Sequence, residues 1–252
     1  MPKTLVCGDL HTKFNILEKV QKRAENYDKV VFLGDYVDEW DTVPDASYNL
    51  LNELITYKKE NPDKVVLILG NHDFSEWYGK PFACSGFNPT THTLVSDLLN
   101  KDNNWKLFQI AYAQDGVLFT HAGVTKEWWL ENLMDCQTAE QIANRFKWIL
   151  ENRHTDDEAE RIFFNLAQAG YARGGYGFPS PIWADARELM EDSINIEQVV
   201  GHTPQPRLQI IKSFGRELTF CDTHSLYPDK SPYGSNELLE IVDGEKNILP
   251  LE

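Results

Sequence analysis

Five short segments of this 252-residue chain place metal-ligand side chains directly after apolar runs. They are CGDLH with Asp9 and His11, LGDYVD with Asp35 and Asp38, LGNHD with Asn71, His72 and Asp73, LFTHAG with His121, and VVGHTP with His202. Glycine after an apolar run lets a chain turn sharply off a strand. Carboxylate and imidazole together suit manganese, iron or zinc, whereas all-oxygen sites suit magnesium or calcium. Asp9, His11, Asp35, Asn71, His121 and His202 are therefore candidate ligands, enough for two ions with one carboxylate between them. Taken singly, each segment also reads as a plain turn or a hydrogen-bonded structural histidine. Five in series, each closing a strand pattern, point to a metal site.

Such a site needs strands whose ends converge. Thr4–Cys7, Lys29–Leu33 and Val65–Leu69 read as strands, with Phe14, Ile16, Leu17, Val20 and Ala24 at helical spacing and a second helix over 45–60. Strand and helix in alternation predict parallel strands with helical crossovers, and ligands gather beyond the carboxyl ends of such strands. Val117–Thr120 reads as a further strand. Thr138-Ala-Glu-Gln141 resembles a capping box opening a helix through Asn152, and Asp156–Ala169 reads as another helix, stopped by Gly170. The stretch GYARGGYGFPSP is irregular, either a connection or a substrate-facing loop. Gln198–Val200, Leu208–Ile211, Glu217–Asp222 and Leu238–Val242 read as strands. The expectation is a single domain over 1–252 with a helical insert at about 125–170.

A net charge of −15 with no basic run argues against a stable nucleic-acid partner. Cys7, Cys84, Cys136 and Cys221 show no CxxC spacing, and two of them sit in strand-like runs, so they read as thiols of a reducing, cytoplasmic setting. MPKTLVCGDL enters a strand without a signal-peptide pattern, and no run approaches the roughly 18 apolar residues of a membrane span. No membrane association is expected. Trp40, Trp77, Tyr78, Trp128, Trp129 and Trp183 lie near the motifs, as core packing or as a platform for a nucleobase.

In this order, GDxH, GDxxD, GNHD, HAG and GHT resemble the motifs of the calcineurin-like metallophosphoesterases. The resemblance is greatest to their phosphoprotein-phosphatase branch, including small phage and bacterial phosphatases and symmetrical diadenosine tetraphosphatases. The late TFCDTHS is similar to the family's strand ending in Asp-Thr-Gly, so the resemblance covers nearly the whole chain. It implies an α/β (α+β) fold, a two-sheet β-sandwich flanked by helices, and a dinuclear metal-dependent phosphoesterase. By the same resemblance Asp9 and His11 bind one metal, Asp35 bridges, and Asn71, His121 and His202 complete the other. Manganese is the expected metal, with iron, zinc, nickel or magnesium as alternatives. Asp38 and His72 are implied as a hydrogen-bonded catalytic pair near the leaving oxygen, and the implied nucleophile is a metal-bridging hydroxide attacking phosphorus in line. The leading reading is a phosphatase acting on a phosphorylated small molecule, a nucleotide or a phosphoprotein.

The chain departs from the family pattern at four places. Thr12 stands where the family has glycine after GDxH. Glu39 stands where the phosphatase branch has the arginine of Asp-Arg-Gly. Asp185, two residues after Trp183, stands where a second phosphate-binding arginine is usual, and His224 replaces the glycine of Asp-Thr-Gly. A monoester dianion suits fixed, bidentate positive charge. The lost arginines therefore make a phosphodiesterase or dinucleoside polyphosphate hydrolase the alternative, with an inactive binding scaffold as a third reading. Arg187, Glu39, Asp185 and His224 are candidate substrate-facing residues. Arg187, Arg173 or Arg153 could replace the missing clamp, and His224 also reads as a turn residue.

Overall fold

The first strand shows how the core is divided. β1 (Thr4–Cys7) sends Leu5 and Cys7 to one apolar cluster and Val6 to another, the two-residue period of a pleated strand. β2 (Lys29–Phe32) and β3 (Val65–Ile68) repeat the division. Val30, Phe32, Val65 and Leu67 pack with Leu5 against Ile16, Leu17 and Val20 of α1 (Phe14–Ala24) and Leu50, Leu54 and Ile55 of α2 (Pro44–Glu60). Val6, Val31, Val66 and Ile68 face Phe119 and Val199 from other strands and Cys221 just past another. The computed structural model describes residues 2–39, 43–213 and 215–251.

Six strands form the first sheet, in the order β11-β10-β1-β2-β3-β4, with β4 at Phe108–Gln109, β10 at Glu237–Val242 and β11 at Glu245–Pro250. β1 to β4 are parallel, with Thr4 opposite Lys29 and Val30 opposite Val65. The second sheet runs β5-β6-β7-β9-β8, from β5 (Ala111–Gln114), β6 (Val117–Thr120), β7 (Glu197–Val200), β8 (Gln209–Ser213) and β9 (Arg216–Phe220). β6, β7 and β9 are parallel to one another. The result is the expected two-sheet sandwich: the Val6 cluster fills the space between the sheets, and helices cover the outer faces. On the second sheet that cover includes α8 (Ala186–Glu191), whose Leu189 packs with Val200, Leu218 and Phe220.

Four helices lie outside the set predicted from the sequence. α3 (Asn71–Tyr78) starts on the GNHD motif itself, followed by α4 (Pro89–Asn100), α5 (Lys126–Asn132) and the short α8. Three of these are eight residues or fewer, too short for the 3.6-residue period to emerge. α6 (Ala139–Asn152) starts at the predicted capping box: the Gln141 amide donates to Thr138 Oγ1 (3.2 Å), and the Thr138 amide donates to Gln141 Oε1 (3.1 Å). α7 spans Asp157–Asn165, shorter than the pattern to Ala169 suggested. Among the described residues no helix is long and apolar enough to cross a membrane.

Candidate active site

Parallel strands bring their carboxyl ends to the same edge of each sheet. Asp9 and His11 follow β1, Asp35 follows β2, and Asn71 and His72 open α3 just after β3. From the second sheet, His121 follows β6, His202 follows β7 and Asp222 follows β9. The turns are tight enough that His11, Asp35, Asp38 and His202 adopt left-handed backbone conformations, with φ of 40, 50, 62 and 65°. Such conformations cluster at functional sites and persist where surrounding bonds fix them. Around Asp35, Asp73 supplies those bonds. Its carboxylate accepts the amides of Asp35 (2.8 Å), Tyr36 (2.9 Å) and Gly70 (2.8 Å). The last residue of GNHD is therefore an anchor for the β2 turn, and it offers its oxygens to backbone rather than to a metal. Two glycines make room for carboxylates: a Cβ on Gly70 would lie 2.2 Å from Asp35 Oδ1, and one on Gly201 2.2 Å from Asp9 Oδ1.

Asp35 stands between two sets of ligand atoms. One set is Asp35, His121 and His202; the other is Asp9, His11 and Asp35, and within each set the atoms lie within 4.8 Å of one another. His121 Nε2 is 3.3 Å from Asp35 Oδ2 and 3.1 Å from both Asn71 Oδ1 and His202 Nδ1. His11 Nε2 lies 3.8 Å from Asp35 Oδ2 and 3.9 Å from Asp9 Oδ2. The remaining ring nitrogens settle the tautomers. His121 Nδ1 donates to the Leu33 carbonyl (2.8 Å) and His11 Nδ1 to that of Asp38 (2.8 Å). Each donation leaves Nε2 with a lone pair, the arrangement usual for a metal-bound histidine.

The electrostatics also fit bound cations. Burial and the nearby charge of Asp222 hold the Asp9 carboxyl well above the usual carboxylate range. Burial would raise Asp35 too, but His121 and His72 draw it well below that range. Burial opposes a charge on His121, yet Asp35 and Asp9 push it up to about 9. His202 is held well below an ordinary histidine by burial and by the Arg173 guanidinium, and its buried Nε2 meets no hydrogen-bond partner among the described residues. Crowded buried acids and imidazole nitrogens that converge on Asp35 form a donor set that divalent ions satisfy. The residues present therefore fit two metals sharing Asp35.

The cluster opens into a cavity of about 520 Å³ lined by His11, Asp35, Asn71, His72, His202 and Asp222 among others. His72 Nδ1 donates to Asp38 Oδ2 (3.0 Å), and the His72 amide donates to Asp35 Oδ1 (2.9 Å). Burial disfavours a charged His72, but Asp35 and the hydrogen bond to Asp38 outweigh it and hold the imidazole well above its ordinary value. Glu39 also lines the cavity and is paired with Lys13. Asp185 caps α8 by accepting the Arg187 amide (3.1 Å).

Three of the four predicted substrate-facing residues, Asp185, Arg187 and His224, lie off the cavity wall. Arg187 leaves the first turn of α8 for solvent with its side chain 65% exposed, bonding only back to Asp185 among the described residues. His224 is buried against Asn236 Oδ1 (3.1 Å) and Cys7 Sγ (3.7 Å), off the cavity wall. Arg153 is also off the wall, stacked among Trp77, Trp105 and Phe163. Of the aromatic residues near the motifs, Trp183 alone among the described ones lines the cavity, its ring 5.9 Å from that of His202; Trp40 lies outside the described residues. Asp222 was not among the predicted ligand-like acids, although it too ends a strand. It is buried beside Asp9 and accepts Ser225 Oγ at 3.1 and 2.9 Å on its two oxygens.

Residues 2–224 match the family model described as calcineurin-like phosphoesterase. The chain belongs to that family, whose members hydrolyse phosphate esters. Its fold is similar to that of a cold-active protein-tyrosine phosphatase of a psychrophile, Shewanella sp., at a TM-score of 0.61 and 18% identity, covering 100% of this chain and 81% of that one. Another structure of a cold-active protein tyrosine phosphatase aligns at a TM-score of 0.56 and 18% identity, over 99% of this chain and 79% of that one. A stretch of 72 residues is 35% identical to the serine/threonine-protein phosphatase 4 catalytic subunits of Eremothecium gossypii and Kluyveromyces lactis. That stretch is 27% of this chain and 21% of each relative, so the chain matches about a fifth of their length.

Proposed function

We propose that this chain is a phosphatase, hydrolysing phosphate monoesters with two divalent metal ions, manganese foremost. Asp9, His11 and Asp35 would hold one ion; Asp35, Asn71, His121 and His202 would hold the other. When bound, such ions make water acidic enough to ionise near neutral pH and offset charge on the phosphoryl oxygens. The chain's own residues do the rest. The charge of Asp35 and the hydrogen bond to Asp38 favour the His72 imidazolium, whose Nδ1–H is held by Asp38 and whose Nε2–H is then the proton available to a departing alkoxide. The amide of His72 holds one oxygen of Asp35, which keeps acid and cluster in one register. The observation that carries this reading is the placement of Asp35 within both ligand sets. All four cysteines are free, which supports a reducing, cytoplasmic setting. The same reading takes residues 1–252 as one catalytic unit with helices α5 to α7 as an insert.

A second reading, a phosphodiesterase or dinucleoside polyphosphate hydrolase, draws on Glu39 and Asp185 at the two positions where the family's arginines are usual. The manganese-loaded protein should turn over nitrophenyl phosphate at least about tenfold more efficiently than bis-nitrophenyl phosphate, about 1.4 kcal/mol in favour of the dianion. The opposite preference would replace the first reading with the second.

A further inference from the structure

Both family arginine positions carry an acid here, and both acids have recruited a cation from another part of the chain. Glu39 is paired with Lys13, which does not line the cavity. Asp185 is paired with Arg173, which does. Arg173 belongs to the irregular GYARGGYGFPSP loop, and no motif announces it. We infer that Arg173 binds the phosphoryl oxygens of the substrate, in place of the arginine that Asp185 has displaced, and that Asp185 is its positioning residue. This inference rests on the phosphoesterase reading of the metal cluster.

The geometry supports a built site rather than a passing loop contact. Arg173 Nε lies 3.2 Å from Asp185 Oδ2, and Arg173 Nη2 donates to Thr203 Oγ1 (3.2 Å). Thr203 is the residue after His202, so this contact places the guanidinium beside the metal cluster. Thr203 Oγ1 also accepts the Ala186 amide (3.0 Å), which ties α8 to the same point. The loop is fastened by Glu188, a buried side chain whose two oxygens accept the amides of Ala172 (2.9 Å) and Asp185 (3.0 Å). Gly170 admits that carboxylate, since a Cβ there would lie 2.2 Å from Glu188 Oε1. Asp185 is 8% exposed and Arg173 27% exposed, so the pair is anchored on its inner side while the arginine keeps an open face. A guanidinium has five donors in a fixed fork, and the two contacts named leave donors for two phosphoryl oxygens. Arg187, the other partner of Asp185, stands on the solvent side and takes no part.

The test compares Arg173→Ala and Arg173→Lys with wild type and with Arg187→Ala, each manganese-loaded. Two properties are read: the KM for nitrophenyl phosphate and the affinity for inorganic phosphate by calorimetry. Arg173→Ala should raise both KM and the phosphate Kd about 10- to 100-fold, Arg173→Lys less, and Arg187→Ala less than about twofold. Asp185→Asn should raise KM several-fold while kcat stays within about twofold, as a displaced binding group requires. Unchanged phosphate affinity in Arg173→Ala, with metal content and melting temperature as wild type, would overturn the inference. So would a wild type that binds no phosphate. If wild type hydrolyses neither nitrophenyl ester, the phosphatase reading falls by itself, and the phosphate calorimetry still decides the role of Arg173.

Discussion

The floor and the rim of the cavity are built in opposite ways. On the floor, Asp9, Asp35, Asn71, His121 and His202 sit at most 7% exposed, each just past the end of a parallel strand, with backbone bonds setting their direction. At the rim, Glu39 and Arg173 come from a turn and a loop, with Asp185 of a helix cap behind Arg173, and side-chain ion pairs set their direction. The floor keeps the family's residue types throughout, whereas the rim has exchanged them. A strand end constrains both position and chemistry, because few residues can tolerate the left-handed turn and also bind a cation. A rim residue needs only to deliver charge to a region, and charge can be delivered from elsewhere in the chain.

The largest effect that would sharpen this contrast lies where floor meets rim. His72→Asn removes the proton donor and keeps a hydrogen-bonding side chain against Asp38. It should lower kcat about 10²- to 10³-fold with KM nearly unchanged, read by steady-state kinetics on nitrophenyl phosphate. A matching rise in KM would mean that His72 belongs functionally to the binding rim.

A second test lies behind the floor, on α3. Glu76 is 1% exposed, and its carboxyl is pushed from an ordinary 4.5 up to about 7, by burial first and by the charge of Asp38, against the hydrogen bond from the Asn88 amide. Its folded-state pKa is raised, so the unfolded chain releases this proton first. Stability from this group therefore falls as pH rises from 4.5 to 7 and levels off above that. Glu76→Gln keeps the Asn88 contact and abolishes the titration. The variant should match wild type near pH 4 and exceed it by roughly 1–3 kcal/mol at pH 8, measured by denaturant unfolding. Equal stability at both pH values would show that the acid is not held neutral.

The smallest effect comes from Thr12, at the edge of the floor. It stands at φ 59°, a left-handed conformation unfavourable for a β-branched residue, and its amide donates to the Tyr36 carbonyl (2.9 Å). Thr12→Gly should raise stability by about 1 kcal/mol, with kcat within about twofold of wild type. A loss of stability would indicate that the threonine side chain supports the floor.

The same contrast explains what the sequence disclosed. Apolar run, glycine and ligand type are local signals, so the parallel strands and the convergence of Asp9, His11, Asp35, Asn71, His121 and His202 were legible in the residues alone, whereas the two-sheet sandwich was implied only by the family resemblance. Asp222 was half legible: its strand was predicted, but a threonine and a histidine after it masked the likeness to the other strand ends. The anchoring role of Asp73 was hidden because its partners, the amides of Asp35 and Tyr36, lie on another loop. Arg187, Arg173 and Arg153 were all candidates from the sequence, and the choice of Arg173 could not be made there for the same reason. Asp185 bonds both arginines, and only the path of the 170–181 loop decides which of them reaches the cavity.

The sharing of Asp35 by two ligand sets drawn from both sheets is tested most directly by metal content. After loading with manganese and removal of excess, elemental analysis of wild type should give about two ions per chain. Asp35→Asn, folded by circular dichroism, should retain fewer than one and show no measurable hydrolysis of nitrophenyl phosphate. An Asp35→Asn protein that keeps the full wild-type complement of metal, or a wild type that takes up none, would contradict the account.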